Sequence, residues 1–256
     1  MAAAADMATF SLRALFELRG VWRYSAEVLR QTAALIVGTT LILAALDFTV
    51  GGTCGLLGNY FLRSVGAQNY VGLFTSLCTI RESVPIMFGY VFAAKVGCGL
   101  VAEIGSMRIN DELDAFEAVG LDPMRFVVGT RLAAAWLFMP LAFCIGALFV
   151  YLGTDFTVVH DIGDVSQGAF AGVHWELQSV ADQLFSFIKL FTIGTAIVLV
   201  ATYYGYRVRG GPADVGTATA RSMIVNLVLI HVIDATWTTI FYGGNPHMPI
   251  GGGGGA

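Results

Sequence analysis

Several ionisable side chains lie inside long apolar stretches of this sequence, among them Arg81, Glu82, Lys95, Lys189 and Asp234. An ionisable group is costly inside a lipid bilayer, so such groups are usually paired or line a path for a substrate or an ion. They could bind an anionic group, form ion pairs or relay protons. No GxSxG or HExxH motif and no cysteine–histidine spacing typical of a metal site accompanies them. The sequence therefore predicts no catalytic residue and no metal site.

The composition indicates that these residues lie on membrane-spanning helices. Of 256 residues, 56% are hydrophobic and only 12% are charged, whereas a soluble domain carries about 25% charge. Crossing a bilayer takes about 20 apolar residues. Five stretches qualify, at about 31–50, within 68–105, and at about 126–152, 184–206 and 222–242. A helix over 70–105 would be roughly 50 Å long, so we expect it to tilt, to kink at Pro85 or to protrude.

Arginine and lysine placement predicts the orientation. Arginines are concentrated before the first stretch and in the second and fourth connections, while segment 153–183 has none and carries acids instead. By the positive-inside rule, the N-terminus is cytoplasmic and the C-terminus outside. Residues 8–24 mix apolar residues with arginines, which favours an interfacial amphipathic helix, although a soluble N-terminal helix is an alternative. We divide the chain into this helix (1–25), a five-span membrane domain (26–244) and a Gly-rich tail (245–256) expected to be flexible.

Smaller patterns suggest packing roles. Gly89, Ala93 and Gly97 recur at four-residue spacing, which favours close helix packing in lipid. The four cysteines lie in apolar stretches, and we interpret them as small core residues.

The segment 106–125 predicts a short acidic helix between two spans. Ile109, Leu113, Phe116 and Val119 have helical spacing, and acids occupy the remaining face. Asn110 or Asp111 is expected to cap its start, and Gly120 and Pro123 to end it. This helix could dock a cytosolic partner, or it could fold onto its own membrane domain. The sequence has no Walker A motif, so an ATP-driven protein of this kind would need a second chain to bind ATP.

Residues 80–131 resemble the signature region of MlaE/YrbE permeases. The matching positions are Arg81, Glu82 and Pro85, then Ala102, Glu103, Ile104, Gly105, Met107 and Arg108, then Glu112, Ala115 and Glu117, and finally Asp122, Pro123 and Arg125. Residues 203–223 (YYGYRVRGGPADVGTATARSM) resemble the actinobacterial YrbE "B" subunits of MCE-type lipid importers.

The resemblance implies an all-α integral membrane fold: an N-terminal interfacial helix, five transmembrane helices and a short cytoplasmic coupling helix at about 106–122. The protein would be the non-catalytic permease of an ATP-driven importer of fatty acid, mycolic acid, sterol or phospholipid in the bacterial inner membrane. Its implied partners are a second YrbE-type permease, two copies of a cytosolic ABC ATPase and a hexameric MCE ring, with no nucleic acid. ATP and Mg would bind the ATPase, and this chain would hold no cofactor. The implied ATPase-coupling residues are Met107, Arg108, Glu112, Leu113, Phe116, Glu117 and Asp122.

Counting 1.5 Å per residue from the expected helix ends places Arg81, Glu82 and Lys189 in the outer half of the bilayer. Together with the resemblance, this suggests that Arg81 and Lys189 bind an anionic lipid headgroup while Glu82 pairs with one of them in the empty site. A structural ion-pair cluster is the alternative, and Asp47 is a further possible partner for Arg81.

Lys95 and Asp234 fall at similar estimated depths near the midplane, so an ion pair between them is expected. With His231 one turn from Asp234, they could instead form the relay of an ion- or proton-coupled secondary transporter. ATP dependence would distinguish that function from an ABC permease.

Overall fold

A computed structural model describes the backbone of residues 2–244 and the side chains from residue 5 onwards; the predicted tail at 245–256 lies outside the described residues. The described chain forms helices joined by short turns. They are α1 (Ala2–Glu17), α2 (Ser25–Ser64), α3 (Gln68–Ile109), α4 (Glu112–Ala118), α5 (Met124–Ile162), α6 (Gln167–Glu176), α7 (Val180–Tyr206) and α8 (Pro212–Tyr242). A 3-10 turn, Leu18–Tyr24, joins α1 to α2.

Five of these helices, α2, α3, α5, α7 and α8, are long and apolar enough to cross a membrane. The all-helical fold with five spans is therefore confirmed. The second of them, α3, is 42 residues long and contains two π turns, Thr79–Ser83 and Phe92–Gly97. A π turn inserts an extra residue into the helical ladder and often occurs at functional sites. Arg81, Glu82 and Lys95 all lie on these turns.

The chain forms two compact units, and each long helix contributes a part to both. The first unit comprises Met1–Leu41, Gly89–Ala142 and Phe191–Ile230, and the second comprises Ile42–Phe88, Phe143–Leu190 and His231–Ala256.

Small residues on α3 allow close packing within the first unit. Ala93 is fully buried. A Cβ added to Gly89 would lie 3.0 Å from an Ile193 methyl carbon, and one added to Gly97 would lie 3.3 Å from an Ile197 methyl carbon. The four-residue repeat therefore packs α3 against α7, and the packing prediction is confirmed.

Ion pairs and aromatic contacts hold the N-terminal helix in the first unit. The Glu17 carboxylate accepts a hydrogen bond of 2.6 Å from the Arg125 guanidinium, and the Asp6 carboxylate accepts one of 3.0 Å from the Tyr203 hydroxyl. On the other side of α1, Leu12 and Phe16 are 56% and 67% exposed. A helix anchored on one face and apolar on another suits the membrane interface.

In the second unit, α2 and α5 approach backbone to backbone. A Cβ on Gly51 would lie 2.0 Å from the Val150 carbonyl oxygen, and one on Gly153 would lie 1.9 Å from that of Phe48. The Thr154 hydroxyl donates to the Gly51 carbonyl at 3.0 Å. Only glycine permits this separation of the two helices.

Two features of the second unit differ from expectation. Cys54 and Cys78 form a disulfide, so the interpretation of these two as plain core residues is wrong; apolar context does not reveal which thiols meet. The acidic segment 153–183 contains the helix α6, whose His174 is buried between the Thr75 hydroxyl at 3.0 Å and the Gln178 amide at 2.9 Å. Sequence analysis gave His174 no role.

Candidate functional site: a buried polar cluster and an acidic loop helix

Lys189 of α7 is the centre of a buried group of polar side chains in the second unit. Its Nζ donates to the Arg81 carbonyl at 2.7 Å and to the Thr238 hydroxyl at 2.8 Å. Two carboxylates lie beside this ammonium, Asp234 Oδ1 at 2.7 Å and Glu82 Oε2 at 3.1 Å. Thr238 donates in turn to Glu82 Oε1 at 3.0 Å. An ammonium with no exposed surface needs such partners, so Lys189 ties α3, α7 and α8 together.

Pro85 explains why a helix carbonyl is available to Lys189. Proline has no amide hydrogen, so it cannot donate to the carbonyl four residues earlier, which belongs to Arg81. That oxygen accepts from Lys189, and the neighbouring Ile80 carbonyl accepts from the Ser186 hydroxyl at 2.6 Å. Ser186 and Lys189 are three residues apart and therefore lie on one face of α7. Pro85, four residues after Arg81, thus leaves a backbone acceptor on α3 for Lys189 of α7.

Arg81 is the second buried cation. Its Nη2 lies 3.0 Å from the Asp182 Oδ1, and the centre of its guanidinium lies 4.4 Å from the centre of the Tyr242 ring. The Tyr242 hydroxyl donates to the same carboxylate oxygen at 3.2 Å, and Ser179 donates to the other oxygen from both its amide and its hydroxyl. The guanidinium is therefore both paired and stacked, which is the geometry that favours arginine over lysine.

We call these residues the polar cluster: Arg81, Glu82, Asp182, Lys189, Asp234, Thr238 and Tyr242. Two cations meet three carboxylates, and the most accessible charge is an anion, since the Glu82 side chain is 38% exposed whereas that of Lys189 is 0% exposed. The suggested pairing of Glu82 with a cation is present. A headgroup could reach Arg81 or Lys189 only by displacing carboxylates, so binding of lipid by these residues stays a prediction.

The expected Lys95–Asp234 ion pair is wrong. Asp234 pairs with Lys189 at 2.7 Å, and within the described residues Lys95 has no carboxylate within 4.0 Å. The estimated depth of Asp234 was counted along its helix from Arg221, but that helix, α8, begins at Pro212. Nine further residues place Asp234 about 14 Å farther along its helix. Lys95 instead passes close to Gly38 and is exposed.

Asp47 also lies elsewhere than suggested. It is fully buried against Gly146, where an added Cβ would lie 3.0 Å from the Asp47 Oδ2. Arg81 uses Asp182 instead, so the suggested Arg81–Asp47 pair does not form.

The acidic loop helix α4 is shorter than the predicted 106–122. Asp111 adopts a left-handed conformation with φ of 57°, which separates α4 from α3, and Gly120 with φ of 82° follows its end. The predicted stop at Gly120 fits this geometry. The predicted capping is wrong at Asp111, whose side chain makes no capping hydrogen bond.

One face of α4 packs on the chain itself. Leu113 is 1% exposed and clusters with Ile104 and Val127, and Met107 and Phe116 pack against that cluster. This corrects the expectation that Leu113 contacts an ATPase, because its surface is already used within the first unit. Helical spacing identified the apolar face but not what covers it.

The other face of α4 is acidic and open. Glu112 and Glu117 are exposed, and Asp114 pairs with Arg108 at 2.8 Å. The Asp122 Oδ1 accepts from the Met124 amide at 2.9 Å, so it caps the start of α5. The carboxylates of Glu112 and Glu117 are therefore accessible on the surface, while Asp122 shapes the loop.

Sequence analysis missed three members of the polar cluster. Asp182 lies in the first turn of α7, Thr238 lies one turn after Asp234, and Tyr242 ends α8. An acid at a span end and a polar residue one turn from a buried carboxylate were the available signals.

Five spans, a charge network between them and an exposed acidic loop helix define a multi-pass membrane protein of the permease type.

The family model "Permease MlaE" matches residues 28–240. The chain is 28% identical over 219 residues to the intermembrane phospholipid transport system permease protein MlaE of Haemophilus influenzae, covering 84% of this chain and 83% of that protein. It is 25% identical to a probable ABC transporter permease protein of Rickettsia prowazekii, over 86% of this chain and 84% of that protein. It is 24% identical to the chloroplastic protein TRIGALACTOSYLDIACYLGLYCEROL 1 of Arabidopsis thaliana, over 87% of this chain and 63% of that protein. The chain belongs to the MlaE permease family.

Proposed function

We propose that this chain is the permease subunit of an ATP-driven lipid importer of the bacterial inner membrane, with its N-terminus cytoplasmic. The family match over residues 28–240 carries the proposal. The name of the Haemophilus influenzae relative supports phospholipid as the substrate class. Fatty acid, mycolic acid and sterol are alternatives within the same proposal, and a hexameric MCE ring would deliver the lipid.

The open face of α4 is the proposed coupling surface for a cytosolic ABC ATPase that binds ATP and Mg. Its inner face is anchored by Leu113, so a push on the outer acids would be transmitted to the ends of α3 and α5 rather than absorbed by the loop. Glu112 and Glu117 would meet basic side chains of the ATPase, which favours rapid and specific association.

A second permease is the proposed cover for the exposed face of α3. Lys95 is exposed there, as are the small residues Gly99, Ala102 and Ser106. A lysine on a membrane helix needs polar surroundings, and small residues let helices approach closely in lipid. These residues support a dimer with a YrbE-type partner, in which Lys95 faces a protein or water-filled surface rather than acyl chains.

The polar cluster would act as a fixed joint while the lipid moves. It holds α3, α7 and α8 through charge-assisted contacts, and Glu82 presents its most accessible charge. We propose that a lipid passes this accessible carboxylate, and that a headgroup engages Lys189 or Arg81 only when the ion pairs open.

The test is affinity purification of the tagged full chain in mild detergent, with co-purifying proteins identified by mass spectrometry. Wild type is compared with Glu112→Arg/Glu117→Arg, which reverses two exposed charges of α4. The matched control is Asp161→Arg/Glu176→Arg, which makes the same charge change in segment 153–183.

We expect wild type and the control to recover an ABC ATPase, a second permease and MCE proteins, and the α4 variant to lose the ATPase selectively. Loss in both variants would show that the charge change, not the α4 surface, matters. Wild type purified without any ATPase would contradict the ABC permease.

A further inference from the structure

Four arginines of the first unit converge on one cavity of about 350 Å³. Arg13 comes from α1, Arg108 from the end of α3, and Arg207 and Arg209 from the turn after α7. Thr9 and Tyr206 add hydroxyl groups to the same wall. Among the described residues that line this cavity, no side chain is acidic. The cavity is therefore suited to an anion.

Two of the four guanidinium groups have protein partners. Arg108 pairs with Asp114 and Arg207 with Asp6, and all four of these side chains keep more than a third of their surface exposed. Arg13 and Arg209 are exposed, and no described carboxylate lies within 4.0 Å of either guanidinium. The cavity thus keeps at least two uncompensated positive charges.

Helix ends explain only part of this convergence. Arginines near the last turn of a helix are favoured by its dipole, which accounts for Arg108 at the end of α3 and for Arg207 after α7. Arg13 has no such reason, because it lies inside α1 rather than at an end. Its position follows from Phe10, which packs on Tyr203 and Tyr206 and thereby turns this face of α1 toward the cavity.

The ends of the surrounding membrane helices indicate that the cavity lies at the level of lipid headgroups. Two membrane helices end beside it, at Ile109 and Tyr206, and α5 begins there at Met124. The neighbouring residues Leu12 and Phe16 of α1 are exposed apolar side chains, which suit the acyl boundary of the membrane. A ligand in this cavity would therefore share its depth with the phosphates of the surrounding lipid.

We propose that this cavity binds the phosphate headgroup of an anionic phospholipid from the leaflet that contacts α1. Guanidinium groups bind phosphate through paired hydrogen bonds, and juxtamembrane arginines are attracted to anionic lipids. Such a lipid would join α1 to the turn between α7 and α8 and so brace the surface next to α4. The cytoplasmic identity of this leaflet rests on the proposed function; binding itself does not.

The test measures lipid retention by the purified full chain. The protein is reconstituted in nanodiscs of equal parts phosphatidylcholine and phosphatidylglycerol, extracted, and its retained lipids are counted by native mass spectrometry. The variant is Arg13→Gln/Arg209→Gln. The matched control is Arg19→Gln/Arg23→Gln, which removes two exposed charges from the same N-terminal region but outside the cavity.

We expect wild type and the control to retain phosphatidylglycerol selectively, and the cavity variant to bind it on the order of 30-fold more weakly. A second variant, Arg13→Lys/Arg209→Lys, keeps the charge and should keep most of the selectivity, which separates binding from misfolding. Equal weakening in variant and control, or unchanged selectivity in the variant, would overturn the proposal.

Two further arms identify the source of the phosphate. Inorganic phosphate added at millimolar concentration should not displace the lipid; full displacement would indicate a site for free phosphate and overturn the lipid assignment. In the affinity purification, the cavity variant should still recover the ATPase. If it loses the ATPase but keeps lipid selectivity, the arginines serve protein docking instead. Because lipid retention needs no ATPase, its failure is distinguishable from failure of the proposed function.

Discussion

Replacing Lys189 with methionine tests whether the polar cluster holds the second unit together. The substitution keeps an unbranched chain but removes the charge and leaves Asp234, Glu82 and the Arg81 carbonyl without their ammonium partner. Removing one member of a buried ion pair typically costs about 3–5 kcal/mol. We therefore expect the free energy of unfolding to fall by about that amount, measured from tryptophan fluorescence during unfolding in mixed detergent micelles.

The control is Lys95→Met, which removes the other lysine from an exposed position with no described carboxylate nearby. It should change the free energy of unfolding by less than about 0.5 kcal/mol. In a double-mutant cycle, the Lys189→Met/Asp234→Leu variant should be about 2 kcal/mol less destabilised than the sum of the two single variants, because residues in one network contribute non-additively. Additive effects, or equal stability of Lys189→Met and Lys95→Met, would refute the reasoning.

Three further predictions concern packing, pH and thiols. Gly51→Ala should abolish the monodisperse peak in size-exclusion chromatography, because its Cβ would lie 2.0 Å from a backbone oxygen of α5, whereas Gly172→Ala in α6, with no atom within 4 Å of the added Cβ, should not. Monodisperse peaks for both variants would contradict the close approach of α2 and α5. Burial lowers the pKa of His174 to about 4. The unfolded chain therefore binds this proton at a higher pH than the folded chain does. The free energy of unfolding is then greatest above the ordinary pKa of about 6.5, and it falls by about 2 kcal/mol between about pH 7 and pH 5. His174→Gln should flatten this dependence in thermal melts at several pH values, and an unchanged slope would exclude His174 as its cause. Alkylation of the denatured, unreduced protein should label two cysteines and miss Cys54 and Cys78, with all four labelled after reduction; four labels without reductant would contradict the disulfide.

Pro85 illustrates how a sequence motif acquires a physical explanation. From the sequence alone, Pro85 indicates a kink in a helix that is too long for the bilayer. In the structure its missing amide hydrogen leaves the Arg81 carbonyl for Lys189. Pro85 of α3 and Lys189 of α7 therefore contribute to one contact, which is visible only when both helices are placed.

The loop helix α4 shows a similar division. Folding on its own domain describes the inner face of α4, whereas docking of a partner stays a prediction for the outer face. Leu113 is buried against Ile104 while Glu112 and Glu117 remain exposed. An amphipathic pattern indicates that one face is covered, but it does not identify the cover.

The sequence by itself determined the five spans, since about 20 apolar residues are required to cross hydrocarbon and few other folds tolerate such runs. It also identified most charged members of the polar cluster, because an ionisable residue in a span is costly wherever it points. Only the tertiary structure decided which charges meet. Asp234 pairs with Lys189 and not with Lys95 because the start of α8 at Pro212 and the rotation of each helix fix which side chains face one another. The same holds for Asp182 and Tyr242 around Arg81, and for Cys54 and Cys78. Contacts between helices distant in sequence leave no local periodicity from which they could be predicted.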